Sequence, residues 1–269
     1  MTMTNDKPAA DHASDAAQPN IRTIGLRDLN EALVKGLDDF KAKPSHLVLL
    51  VLIYPLVAFL AFRVAAGYDL LPLVFPLLSG FALVGPLAAI GLYELSRRRE
   101  AGLDISWEHA FNVIRSPSIG AIVTLSVVLG ALYFAWLGAA LTIYWLTFGG
   151  AAPESIGSFA SAVLTTPAGW ALIIVGCGVG FFFALVALAI SAVSFPLLLD
   201  RDVSALTAIR TSVRAFFANP VAMAMWGIIV AGLLVIGTVP LFVGLAVVMP
   251  VLGHATWHLY RRVVERPPL

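Results

Sequence analysis

His254 and His258 stand four residues apart near the end of a long apolar run, so on a helix they share one face. Two imidazoles in that register can close on one metal ion or flank a haem edge, provided a third ligand arrives from another helix. Glu94, at a matching depth in an earlier apolar run, is the residue of the right type. The candidate metal ligands are therefore His254, His258 and Glu94, with no catalytic or cofactor-binding residue and no cofactor expected. The same residues also read as structure. With Trp257, Tyr260 and Arg261, the histidines would form a belt at headgroup level, and Glu94 would pair with Arg97 or Arg98 one turn on. His46 and Arg63 read as residues at the ends of a span.

The elements that carry these residues follow from composition. The chain has 269 residues, 59% of them hydrophobic and 12% charged, and a mean hydropathy of +0.91. Soluble domains carry about 25% charged residues, so this chain is read as a membrane protein with the lipid bilayer as its solvent. A formal net charge of +1 excludes a strongly basic nucleic-acid coat, and no nucleic-acid partner is expected. The one cysteine, Cys177, leaves no intramolecular disulfide and no cysteine-built metal site.

Residues 1–20 are polar and read as a disordered tail without a cleavable signal peptide. From residue 26 to Pro44 an amphipathic helix is expected, with Leu26, Leu29, Leu33, Leu37 and Phe40 on one stripe and Asp28 and Glu31 as an N-terminal capping pair. Two further amphipathic segments follow, 106–115 ended by Pro117 and 202–219 ended by Pro220. In the last, Leu206, Ile209, Val213, Phe216 and Phe217 form the apolar face, with Thr207, Arg210, Thr211 and Arg214 opposite. Helices of this kind lie flat at a membrane surface.

Six apolar runs read as spans: 47–66, 70–95, 119–148, 170–199, and two within 221–260 that turn at Gly237–Pro240. Arg201, Arg210 and Arg214 precede the last stretch and Arg261, Arg262 and Arg266 follow it. Both ends therefore belong on the cytoplasmic side and the crossings are even in number. The expected fold is all-α: six transmembrane helices in three hairpins, each preceded by a cytoplasmic amphipathic helix. The membrane domain is 21–262, with repeat units 26–95, 104–199 and 202–260, and 263–269 is a C-terminal tail. Pro86 precedes Arg97-Arg98 by eleven residues, as Pro250 precedes Arg261-Arg262; in that register Glu94 matches His258 and Tyr93 matches Trp257.

Three stretches carry a family resemblance: DLNEALVKGLDDFKAKP (28–44), GFALVGPLAAIGLYELSRRREAG (80–102) and PVLGHATWHLYRR (250–262). They resemble the domain of unknown function 2189 family of predicted bacterial integral membrane proteins. That resemblance implies a multi-pass protein of a bacterial inner membrane and assigns no activity. Some relatives carry a label likening them to cytochrome c oxidase subunit I. This chain departs from that pattern: it has half the spans and only His254 and His258 in the inner half of any span, whereas two haems and copper need histidines on several helices.

The functional expectation is a non-enzymatic scaffold or accessory subunit, with a membrane-protein partner or a second copy as its binding partner. A small-solute transporter or channel is the alternative, suggested by the repeat and the proline-broken spans. A metal- or haem-binding respiratory accessory protein, resting on the two histidines and Glu94, is the third. Gly176, Gly180 and Ala184 offer a small-residue face for close helix packing.

Overall fold

The computed structural model of the chain describes residues 18–42, 56, 59, 63 and 71–266. Apart from those three single positions, the first expected span and its turn at 67–69 lie outside the described residues, as do His46 and the tail up to residue 17. In chain order the α-helices are α1 (Leu26–Ala42), α2 (Val74–Ala88), α3 (Ile90–Glu100), α4 (Ile119–Phe148), α5 (Ile156–Thr165), α6 (Pro167–Ser191), α7 (Ser194–Asp200), α8 (Ala205–Ala218), α9 (Pro220–Thr238) and α10 (Leu245–Val263). Leu71–Leu73 and Trp107–Arg115 are 3-10 helices. Among the described residues the one β-type pairing is an isolated bridge between Ile21 and Val264.

Among the described residues, three helical stretches are long and apolar enough to cross a membrane: α4, the pair α6–α7 taken as Pro167–Asp200, and α9. The bent stretch from Leu71 to Ala88 makes a fourth if its halves form one span. Its bend of 41° falls between Gly80 and Ala82, which is where Pro86 acts. Proline has no N–H to give the carbonyl four residues back and its ring crowds that carbonyl, so the helix opens one turn upstream. The expected second span is divided again at Ala89, and the fourth runs from Pro167 to Asp200 with a break at Ala192–Val193. The last turn lies at 239–244, a few residues later than the glycine and proline suggested.

One end of the bundle gathers most of the polar side chains. Tyr260 Oη donates to Asp200 at 2.5 Å and Arg261 Nε to Glu100 at 2.9 Å, which brings the ends of α3, α7 and α10 together. The start of α4 joins them through Ser118 Oγ, which donates to the Arg201 carbonyl at 3.4 Å. The start of α9 is at this end too: Asn219 Oδ1 accepts from the Ile24 amide at 2.7 Å and its Nδ2 donates to the Arg22 carbonyl at 3.0 Å. Next to it the segment after Arg262 stays with the fold, because Arg22 N donates to Val263 O at 2.8 Å and both Val263 and Val264 are buried. The far end is marked by Trp136 Nε1, which donates to the Pro76 carbonyl at 3.1 Å. Trp136 lies seventeen residues beyond Ile119 on α4, about 26 Å along the axis at 1.5 Å per residue.

Two amphipathic helices bury part of the stripe that their large residues trace, together with small residues beside it. On α1 the buried residues are Leu29, Ala32, Gly36 and Phe40, while Leu26 and Leu37 are exposed. The reason is the neighbour: α1 lies on α10 so closely that only small residues fit between the two backbones. On α8 the buried residues are Ala208, Thr211, Ser212 and Ala215, and Leu206 and Phe217 are exposed. The break between α6 and α7 frees backbone groups, and α8 answers them. Ser212 Oγ accepts from Val193 N at 3.2 Å, and Ser194 Oγ donates to Ala208 O at 3.0 Å. A small, polar-edged face meets the break; Ile209 and Phe216 pack at its side, and Leu206 and Phe217 turn outward.

Candidate functional site

At the polar end, α1, α3 and α10 bring Asp39, Ser96, Arg99, His254 and His258 into one cluster. Asp39 Oδ2 accepts from Ser96 Oγ at 2.5 Å and from His258 Nε2 at 2.8 Å, and its Oδ1 accepts from Arg99 at 2.7 Å. Ser96 Oγ also meets His254 Nδ1 at 2.8 Å. The serine has a single proton and the carboxylate takes it, so the imidazole is the donor and His254 carries its proton on Nδ1. The result is a hydrogen-bonded chain, His254 to Ser96 to Asp39, with His258 and Arg99 closing on the same carboxylate. The Asp39 side chain is 8% exposed and His254 is 3% exposed. Burial alone would raise the Asp39 carboxyl. The bonds from His258 and Ser96, with the charge of the two histidines, outweigh it and hold the group below the usual carboxylate range.

A second cluster lies beside it. Arg261 donates through Nε to Glu100 at 2.9 Å and through another nitrogen to Asp200 at 3.1 Å, and its guanidinium carbon stands 5.4 Å from the centre of the Trp257 ring. Glu100 Oε2 also accepts from Trp257 Nε1 at 3.1 Å, and Arg266 reaches Oε1. Partial burial pushes the Glu100 carboxyl up, but the bond and charge of Arg261, with the Trp257 bond and Arg266, bring it below its ordinary value. Arg262 pairs with Glu31 and stands 3.6 Å from Asp28, while Asp28 Oδ2 accepts from the Gly25 amide at 2.9 Å. Asp28 is thus the capping member of the expected pair, and Glu31 serves as a tether between α1 and α10.

The three expected ligands part company in this geometry. His254 and His258 do share a face and engage one polar cluster, through Ser96 and Asp39. Glu94 is buried and held in a fork by Arg97 of its own helix, at 2.7 and 2.9 Å, as the structural reading of it required. Among the described residues no group of three His, Cys, Asp or Glu side chains is placed to hold a metal ion. Of the residues expected in a belt, Trp257, Tyr260 and His254 are buried within the protein, Trp257 donating to Glu100 and Tyr260 to Asp200.

Residues 74–200 match the family described as predicted integral membrane protein (DUF2189). The match runs from the first residue of α2 to the last residue of α7, and so holds Glu94, Ser96, Arg99, Glu100 and Asp200, the α3 and α7 half of the polar end. That similarity and the apolar helices support a multi-pass membrane protein. Comparison with curated proteins and with solved structures gave no match.

Asp39, Ser96, Glu100, Asp200 and Asn219 were not among the expected site residues. Asp39 is 219 positions from its partner His258, and no local pattern signals a pairing at that distance. A weaker signal did exist. Ser96 and Glu100 are one turn apart around the Arg97–Arg99 run, and His254 and His258 are one turn apart before Arg261-Arg262. Two helices ending alike in polar and basic residues are suited to end side by side.

Proposed function

We propose that this chain is a six-span protein of the bacterial inner membrane with both ends on the cytoplasmic side, acting without catalysis as a scaffold or accessory subunit. The observation that carries this reading is the engagement of the acids at the polar end. Asp39, Glu94, Glu100 and Asp200 are each held by a guanidinium of the same cluster: Arg99, Arg97, and Arg261 for the last two. Groups tied in this way fasten helices together, and a general acid or base would need one of them released toward a substrate.

The six-span count is supported by where the ends fall. The chain enters α4 and α9 and leaves α3, α7 and α10 at the polar end, so α4 with α6–α7 and α9 with α10 behave as hairpins. Asp39 of α1 is at that same end, while Pro76 is level with Trp136, about a bilayer core away. The hairpin repeat is supported by its matched positions, since Tyr93 and Trp257 are both buried beneath the polar cluster. The abundance of arginine at that end favours the cytoplasmic side.

The surface such a subunit offers includes the 3-10 helix Trp107–Arg115, where Phe111 and Ile114 are exposed. A photo-crosslinking residue at either position, irradiated in intact cells, should repeatedly capture one protein that Phe111→Asp releases. Adducts to lipid alone at both positions would remove the scaffold reading. A second reading, solute transport, is favoured by one observation: the helix breaks at Ala89 and Ala192 line the same cavity. Flux above that of empty liposomes, across a panel of small solutes, would put it first.

A further inference from the structure

A cavity of about 330 Å³ lies among α2, the start of α3, α6, α9 and α10. Its size comes from sequence: Ala82, Ala184, Ala224, Ala231 and Gly227 stand on the wall, where small side chains leave the space open. The geometry points to a binding site for a single hydrocarbon chain of a membrane lipid. This inference needs the bundle to be embedded in a membrane and does not depend on the scaffold role.

Four observations carry it. The cavity is walled in part by α6 and α9, both long and apolar enough to cross a bilayer, so hydrocarbon is the solvent at its depth. Its wall is almost wholly apolar, and a space of that kind does not hold water. The hydroxyls that reach the wall are engaged already: Ser191 Oγ donates to Ala187 O at 2.6 Å, Thr256 Oγ1 donates to Leu252 O at 2.7 Å, and Thr256 is in turn the partner of Tyr93. A polar solute or a lipid headgroup would find neither Ser191 nor Thr256 with a proton left to give, whereas an aliphatic chain needs none. Finally the volume is roughly twice that of an engineered cavity of about 150 Å³ that takes up a benzene ring, which suits a flexible chain better than a lone side chain from a neighbour. Phe181 and Ile228, both on the wall and both exposed, mark the side open to the bilayer.

The test uses the full chain in phospholipid vesicles doped with a long-chain fatty acid that carries a mid-chain diazirine. After irradiation, peptide mass spectrometry locates the adducts. Adducts are expected on the wall residues Leu188 and Met249 as well as on the outward Ile174. Filling the cavity with Ala184→Phe, Ala224→Phe or both should lower wall labelling about tenfold, because each ring takes up the space a hydrocarbon chain would occupy. Labelling of Ile174 should persist, and the outward control Val175→Phe should leave the wall pattern as in the wild type. An unlabelled wall in the wild type, undiminished wall labelling in the two monodisperse single variants, or an equal loss in Val175→Phe would each overturn the assignment. Adducts to a second copy of the chain at the wall, in place of the probe, would overturn it in favour of an intermolecular contact.

Discussion

Gly36 of α1 and Ala255 of α10 meet backbone to backbone: a Cβ placed on Gly36 would stand 2.6 Å from the Ala255 amide nitrogen and 2.7 Å from its Cβ. That contact decides the sign of one substitution. Within a helix, alanine is favoured over glycine by about 1 kcal/mol, so Gly36→Ala stabilises if α1 lies free on a membrane surface. Docked as it is, the added methyl forces two backbones apart and should lower stability by about 2 kcal/mol. Thermal unfolding in mild detergent reads the sign directly, and a raised midpoint would mean that α1 does not rest on α10.

Asp39 gives the fold a pH dependence whose direction can be worked out. Its carboxyl is held below the ordinary value of 3.8 in the folded chain, because the bonds from His258 and Ser96 outweigh burial. A group depressed on folding stabilises above its unfolded value, and that contribution is lost as pH falls through the folded value. Asp39→Asn should therefore cost about 2 kcal/mol near neutrality, Arg99 being partly screened by solvent. The deficit should shrink as the buffer is taken from about pH 6 to about pH 3. An equal deficit at both ends of the range would separate Asp39 from the acid response.

The apolar runs and the bend at Pro86 were legible because each is written locally. The arginine runs and the extents of α4, of α6–α7 together and of α9 follow from neighbours in sequence, whereas the break at Ala192–Val193 does not. What surrounds a helix is not written locally. Amphipathicity on α8 traced Leu206, Ile209, Val213, Phe216 and Phe217 as one face; Ile209 and Phe216 do pack on the core, but the fully buried residues are Ala208, Thr211, Ser212 and Ala215, since the partner is a broken helix whose Val193 amide needs an acceptor. Likewise the histidines were recognised as paired, but their partner Asp39 belongs to a helix at the other end of the chain.

Asn219 ties the segment before α1 to the head of α9 with both ends of its amide. Asn219→Ala removes the acceptor from the Ile24 amide and the donor to the Arg22 carbonyl together. The segment 20–25 should then open locally rather than unfold the bundle, because α1 keeps its own contact with α10. Hydrogen exchange at Ile24 and Arg22 should rise by about tenfold or more, corresponding to about 1.4 kcal/mol of lost protection. Amides within α9 should keep their rates. Uniform acceleration along the chain would make Asn219 a determinant of the whole fold instead.

Arg261 is the cation shared by Glu100 and Asp200, whose side chains are 25% and 15% exposed. Removing it as Arg261→Met keeps the stem that packs near Trp257 and leaves two partly buried carboxylates beside each other, with Arg266 and Trp257 still on Glu100 and Tyr260 still on Asp200. Breaking a pair from one side costs more than removing both partners, since the orphaned charge stays desolvated. Arg261→Met should thus lose about 2–3 kcal/mol, and adding Glu100→Gln and Asp200→Asn should restore part of it. The pH response supplies an independent check. In the wild type Glu100 is depressed and favours folding above its ordinary range; without Arg261 that depression weakens, so the variant's deficit should narrow in acid as Glu100 takes up a proton. A deficit that neither the added neutral residues nor acid reduces would show that Arg261 acts through its stem on Trp257 and not through its charge.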